Sequence, residues 1–237
     1  MCQFENLIMK DREIHSIFSH YQIFKLKYFQ IIIMGILERK ERDKLEMRLM
    51  ILEAAKEVFV SEGFEKASIR AIAERIEYSP ATIYLYFKDK NDLLFAVHEL
   101  GFDKLLEAME SAIEGVSDPF EELRRRGYAY MKFAFENPEM YDLMFILNAP
   151  MDTLKEEETW HSGHKCFVLL CETLQRGIES KQLRFKDVQV AAMSIWSFMH
   201  GMVSLRIRNR FKKFNEQSDV NLLMTASLEQ MIELVKI

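Results

Sequence analysis

Cysteine, proline and glycine are scarce in this chain of 237 residues, which has three, four and eight of them. Cys2, Cys166 and Cys171 are too few, and odd in number, to make a disulfide framework. They point to a reducing compartment, with a cytoplasmic address as the default. So few breakers exclude collagen-like and low-complexity chains and favour long helices. No segment keeps the period of two that a half-buried strand needs, so the fold class reads as all-α. The most apolar early stretch, Tyr28 to Leu37, is interrupted by Gln30 and preceded by Lys25 and Lys27. It falls short of the roughly 20 residues of a spanning helix and lacks an A-x-A cleavage site, so neither a membrane span nor a secretory leader is expected. A Gly-rich phosphate loop, C-x-x-C and H-E-x-x-H are missing, as is any nucleophile with a recognisable partner. That argues against catalysis and against a cofactor. An excess of positive charge is missing too, with Lys+Arg 32 against Asp+Glu 37 and a net charge of -5. This excludes a protein that coats nucleic acid by charge alone, while leaving room for a local basic edge.

Three stretches differ in texture. Residues 1–33 mix Phe, Tyr, Ile and His without helical period. They read as sequence ahead of a true start at Met34, as a loose arm, or as a short amphipathic helix packed on the body. Residues 34–91 and 92–237 are expected to form a small helical domain and a larger one. From Lys44, Leu45, Leu49, Leu52, Ala55 and Phe59 recur at three- and four-residue spacing until Gly63, which marks a helix of about five turns with a left-handed stop. Ser68 can cap a second, short helix facing inward through Ile69, Ile72, Ala73 and Ile76. Ser79 followed by Pro80 starts a third, because Ser accepts an orphan N–H and Pro suits the first turn. Asp89 can cap a long fourth helix. Further helices are expected near Phe120–Glu136, Glu139–Leu147, Glu156–Glu179, Asp187–Asn209 and Val220–Val235.

Two short helices joined by a tight turn make a helix-turn-helix candidate. Such a unit braces one helix behind another that enters a major groove about 12 Å wide. An ordinary helical hairpin has the same spacing, so the surface of the third helix decides between them. Thr82, Tyr84 and Tyr86 carry hydroxyls along a segment whose Ile83 and Phe87 face inward, and Lys88 and Lys90 follow at once. Hydroxyls and lysines together suit phosphate and base-edge contacts.

From about Leu45 to Leu94 the chain resembles the bacterial tetracycline-repressor family of transcriptional regulators. The resemblance rests on ILEAAKEVFVSEGFEKASIRAIAERI followed by SPATIYLYFKDKNDLL. It implies an N-terminal three-helix DNA-binding domain and a larger helical domain that binds an effector and dimerises. By that resemblance Ser68, Thr82, Tyr84 and Lys90 contact phosphates, Pro80, Ala81, Thr82 and Tyr86 lie closest to the bases, and Ser79, at the start of the recognition helix, counts with them among the DNA-binding residues. Lys44, Arg48, Arg70 and Lys88 complete the expected basic edge. The chain departs from the family where a small residue and Gly usually separate the two helices. Here Ile76 and Glu77 stand, so Glu fills a position that calls for positive φ, at conformational cost.

The larger half is rich in Met and aromatic residues. The resemblance implies an effector pocket, for which Phe133, Met144, Phe145, Phe167, Trp196 and Met199 are the candidates, although each also suits a plain helical core. The segment Trp196-Ser-Phe-Met-His200-Gly201 resembles the Trp-His-Gly C-terminal subtype, with His200 and Gly201 read as a close helix-packing pair. Met202, Leu205, Leu223, Met231 and Leu234 are the expected homodimer contacts, as two helices from each protomer would pack together. His161, His164, Cys166 and Cys171 raise the alternative of a metal- or thiol-sensing regulator, but single-helix ligands rarely close a tetrahedral site, so no metal is expected. A helical scaffold that binds protein instead of DNA is the other alternative. The expected partners are therefore double-stranded operator DNA, a second copy of the chain and a small apolar or amphipathic effector, with no membrane. Charge divides unevenly: residues 34–91 carry 11 basic and 11 acidic side chains, and residues 92–237 carry 17 and 23.

Overall fold

The computed structural model describes residues 38–147, 161–213 and 219–237. The readings of residues 1–33, and of a helix start at Glu156, lie outside them. The described residues fall into two packing units, one up to Ile51 and the other from Leu52 onward. In the first, residues 38–51 are helical throughout, six residues or more ahead of the expected start at Lys44. Leu45 and Leu49, expected to face inward, are exposed, whereas Ile51 is buried.

The same helical run, α1, continues without a break to residue 62, and in the larger unit its Leu52, Ala55, Val58 and Phe59 are buried as their spacing requires. Gly63 ends it at φ 78, with its N–H bonded to the Phe59 carbonyl. Helix α2 (Ile69–Arg75) buries Ile69, Ile72 and Ala73, and Ser68 caps it by accepting from the Ala71 N–H. Ile76, expected on that inward face, is the half-buried C-cap. Helix α3 (Pro80–Tyr84) is capped by Ser79, and α4 (Lys90–Ala112) by Asp89. Each cap supplies an acceptor for an N–H that the first helical turn leaves unpaired.

Then come α5 (Pro119–Glu136), α6 (Pro138–Phe145), α7 (His161–Glu179), α8 (Val188–Ile207), a 3-10 turn (Arg210–Lys213) and α9 (Val220–Val235). Prolines stand at the first positions of α3, α5 and α6, where a missing N–H costs nothing. The fold is all-α: among the described residues, β pairing is confined to one isolated antiparallel bridge between Leu183 and Lys236. Helix α4 packs on α5, α6 and α7, and α5 also touches α8 and α9. Gly101 lets α6 lie close on α4, since a Cβ there would fall 2.6 Å from the Met144 sulfur.

Within the described chain Gly201 packs against no other helix, since a Cβ there would meet nothing within 4 Å. Its neighbour His200 belongs to a polar core cluster, with Nδ1 2.6 Å from the Tyr141 hydroxyl and the ring 5.5 Å from that of Tyr141. Helix α8 is long and apolar enough, by length and composition, to cross a membrane, which the expectation of no visible span did not include. Ala191, Ala192, Ile195, Met199 and Val203 bury one side of it among the other helices, and Val190, Met193, Phe198 and Leu205 are exposed on the rest.

Candidate nucleic-acid interface and effector cavity

The turn between α2 and α3 is built by backbone. The Tyr78 N–H reaches the Ala73 carbonyl at 3.0 Å and the Glu77 N–H reaches that of Glu74 at 3.2 Å. This nested pair of bonds is the Schellman stop, which needs a left-handed residue after the C-cap. Glu77 is that residue, at φ 60. An ion pair between Arg75 and Glu57 links α2 to α1.

Beyond the turn, Ile83 and Phe87 point into the core at i and i+4 and hold α3 down. The opposite side is open. Ser79, Pro80, Ala81, Tyr84, Leu85 and Lys88 are exposed, and Thr82 and Tyr86 are half-buried. Tyr84 is 55% exposed and Leu85 80%. An apolar side chain so far out of the core is the feature that sequence reasoning missed. The signal was present, since inward Ile83 and Phe87 place Leu85 on the far side of the segment. The Ser79 hydroxyl lies 3.2 Å from that of Thr82 and accepts from the Thr82 N–H, so both hydroxyls are fixed in place.

The expected cations divide by what they touch. Lys88 is exposed, while Arg70 is exposed and paired with Glu74 at 2.9 Å. Ser68 is exposed, with its hydroxyl engaged in capping α2. Lys90 turns back instead: its ammonium donates to the carbonyls of Phe64 (2.9 Å), Ala67 (3.2 Å) and Glu65 (3.4 Å) and sits 4.4 Å from the Phe64 ring centroid. It pins the loop that leads into α2. Lys44, exposed, and Arg48, half-buried, belong to the first packing unit.

In the larger helical part, α4, α5, α6, α7, α8 and α9 line a cavity of about 140 Å³. Phe145, Phe167, Trp196 and Met199, four of the six pocket candidates, lie on its wall. Phe133 and Met144 do not. Met144 packs against Gly101 between α4 and α6, and Phe133 lines a separate surface groove. Met231, expected at the dimer contact, is buried and lines the cavity, because α9 turns that residue inward. Leu205, Leu223 and Leu234 are exposed and Met202 is half-buried. The four possible sensing residues diverge. His161 and His164 are exposed, Cys171 is half-buried, and Cys166 faces the cavity. Burial pushes the Cys166 thiol up to about 12, so it stays protonated at neutral pH and lacks the thiolate that reactive or metal-bound cysteines need. Among the described residues no three His, Cys, Asp or Glu side chains converge as a metal site.

Comparison with known proteins places this architecture. Residues 51–97 match the family described as "Bacterial regulatory proteins, tetR family", and residues 123–234 match "Tetracyclin repressor-like, C-terminal domain". The chain belongs to the tetR family. It is a transcriptional regulator of the DNA-binding, helix-turn-helix kind. Over 152 residues it is 26% identical to the HTH-type transcriptional activator FasR of Mycolicibacterium smegmatis, covering 63% of this chain and 69% of FasR. Over 82 residues it is 30% identical to the fatty acid metabolism regulator protein of Bacillus subtilis, covering 35% of this chain and 42% of that protein. Among solved structures, the fatty acid degradation regulator FadR from Bacillus halodurans superposes with a TM-score of 0.63 at 20% identity, over 78% of this chain and 93% of FadR. That last likeness concerns the fold alone. The tetR-family assignment gives the α2–α3 unit its meaning as a reading head.

Proposed function

We propose that this tetR-family chain is a cytoplasmic repressor that binds a pseudo-palindromic operator as a homodimer and lets go when a small apolar or amphipathic effector fills the cavity. Residues 34–91 form the reading domain and residues 92–237 the sensing and dimerising one, the latter of the Trp-His-Gly subtype that the Trp196–Gly201 segment resembles. The observation that carries the reading is the outward face of α3. A five-residue helix fixed by buried Ile83 and Phe87 spends Tyr84 and Leu85 on solvent, an unstable use of surface unless a ligand covers it. Pro80, Ala81, Thr82 and Tyr86 approach base edges, Leu85 adds an apolar contact, and Tyr84, Lys88, Arg70 and Ser68 hold phosphates. Lys90, which the resemblance places among the phosphate contacts, positions the loop before α2 instead. Two copies of α3 would sit ~34–36 Å apart to enter successive major grooves. An effector releases DNA only by binding better to a spacing of the heads that does not fit.

Gel shift on the DNA upstream of the protein's own coding region is the test. Affinity should fall steeply between low and moderate salt, because phosphate contacts release counterions. Tyr84→Ala should weaken binding on every sequence, by roughly tenfold for a lost charge-assisted contact, while Thr82→Ala changes preference between sites. A shift indifferent to salt would favour the protein-binding scaffold. A reporter driven by the same region decides the sign of regulation, since FasR is named an activator.

A further inference from the structure

Among the described residues the cavity wall is apolar save for Arg126, the Cys166 thiol and the polar tips of Tyr130 and Trp196. Phe102, Leu105, Phe145, Phe167, Trp196 and Met199 supply its bulk, and Arg126 is the charged side chain among the residues that line it. That side chain is 9% exposed. Its Nε and Nη1 have no hydrogen-bond partner among the described residues. The nearest carboxylate, Glu122, lies 4.0 Å from Nη2, beyond hydrogen-bond reach. Glu122 is itself buried and already engaged, by the Thr173 hydroxyl at 3.0 Å and by Arg176. One carboxylate thus faces two guanidinium groups, and the positive charge left over sits on the buried partner, at the cavity. Burial lowers the Arg126 guanidinium from its ordinary value, but arginine remains protonated in proteins.

A buried cation without full pairing is costly, and a buried donor without an acceptor adds to the cost. A structural role for Arg126 would be served better by an aliphatic residue of the same length. The arrangement makes sense when an anion arrives with the ligand. Deepening the effector reading on which it rests, we infer that the cavity takes a small monocarboxylic acid, its carboxylate set against the Arg126 guanidinium and its apolar body among the rings and methionines. The volume limits the body. A cavity of about 150 Å³ takes a benzene ring, so 140 Å³ suits an aromatic acid or a chain of about six to eight carbons. Carboxylate suits a guanidinium better than a neutral head, as the hydrogen bonds are then charged on both sides.

The test titrates the full chain with octanoate, hexanoate and 3-phenylpropanoate, and with the neutral amides of the same three bodies, by calorimetry at neutral pH. At least one acid should bind about tenfold more tightly than its amide, the margin expected of a charge-assisted bond over a neutral one. In Arg126→Met the margin should vanish while amide affinity is kept or improved. Equal affinity for acid and amide on the unaltered chain would mean that water or Glu122 suffices for Arg126, and would overturn the inference without needing a variant. So would a margin that persists in Arg126→Met, or failure of all three acids to bind. The effector reading fails separately. Acid that binds with the expected margin but leaves the operator complex unchanged defeats regulation and keeps the ligand class. A neutral amide that binds equally well and releases DNA does the reverse.

Discussion

Three consecutive arginines on α5 meet three different fates. Arg124 bonds to Glu229 at 2.9 Å and to Glu121 at 2.6 Å, Arg125 bonds to Glu121 at 2.7 Å, and Arg126 is buried beside the cavity. Each step along a helix turns about 100°, so neighbours of the same chemistry face different surroundings. Read as letters the run is a solvated basic patch. Its place three residues after buried Leu123 and next to buried Gly127 is what betrays Arg126. Glu77 was more legible, because the stop between α2 and α3 calls for a left-handed residue and the sequence offers Glu where Gly would serve. A non-Gly residue there costs about 1 kcal/mol, which Glu77→Gly should largely recover. Urea unfolding should show the variant about 0.5–1 kcal/mol more stable with an unchanged slope, whereas Glu77→Val should be less stable than the parent. A Glu77→Gly protein that unfolds at lower urea would mean that the Glu77 side chain contributes more than its backbone costs.

At the scale of elements, most of what was legible came from caps and periods. Ser68, Ser79 and Asp89 cap the helices they were expected to cap, and buried positions such as Phe59, Ile72 and Ile83 follow from spacing. Periodicity tells inside from outside but not one inside from another. For that reason Met144 and Phe133 were assigned to the wrong neighbours, and the close approach of α6 to α4 at Gly101 could not be anticipated. The same α4–α6 contact holds an imidazole. His98 Nε2 lies 3.2 Å from the Met144 carbonyl, and the ring packs 4.9 Å from that of Phe102. Burial lowers its pKa from 6.5 to about 4, against a smaller upward pull from the Met144 carbonyl. Above pH 6.5 the residue is neutral in both states and has no pH effect. Between pH 6.5 and about 4 the unfolded chain binds the proton and the folded one does not, so acidification removes stability, by at most ~3 kcal/mol. Neighbouring Glu99 acts in the opposite sense, since burial raises its pKa and acid relieves that cost. The measurement is therefore a difference: stability against pH for the parent minus that for His98→Phe. The parent should lose ground to the variant as pH falls from 6.5 towards 4, and parallel curves would show that His98 charges freely in the folded state.

For the whole molecule, the neutral balance of residues 34–91 and the acidity of residues 92–237 set two salt dependences against each other. Helices α8 and α9 leave Val190, Met193, Phe198, Leu205, Leu222, Leu223 and Leu234 exposed. Val190, Met193, Ser197, Gly201 and Leu205 recur at three- and four-residue spacing, which makes one stripe on α8, and the open space over Gly201 lets a second helix come close. A self-complementary stripe of this kind suits a two-fold interface. Each copy would bring to it a half with 17 basic and 23 acidic side chains, so protomers repel over long range until salt screens them. Burial of apolar area does not depend on such screening. Dimerisation should therefore strengthen, or hold level, as salt rises from about 20 to 200 mM, while operator binding weakens over the same range because phosphate contacts are lost. Sedimentation equilibrium and gel shift on one preparation would show the two trends crossing. Leu205→Glu places a charge at the C-terminal end of the apolar stripe and should shift the chain to monomer, lowering operator affinity by roughly a hundredfold or more while leaving the helical signal in circular dichroism intact. A monomeric Leu205→Glu protein with full operator affinity would remove dimerisation from the mechanism, and a dimer untouched by the substitution would place the interface elsewhere on the molecule.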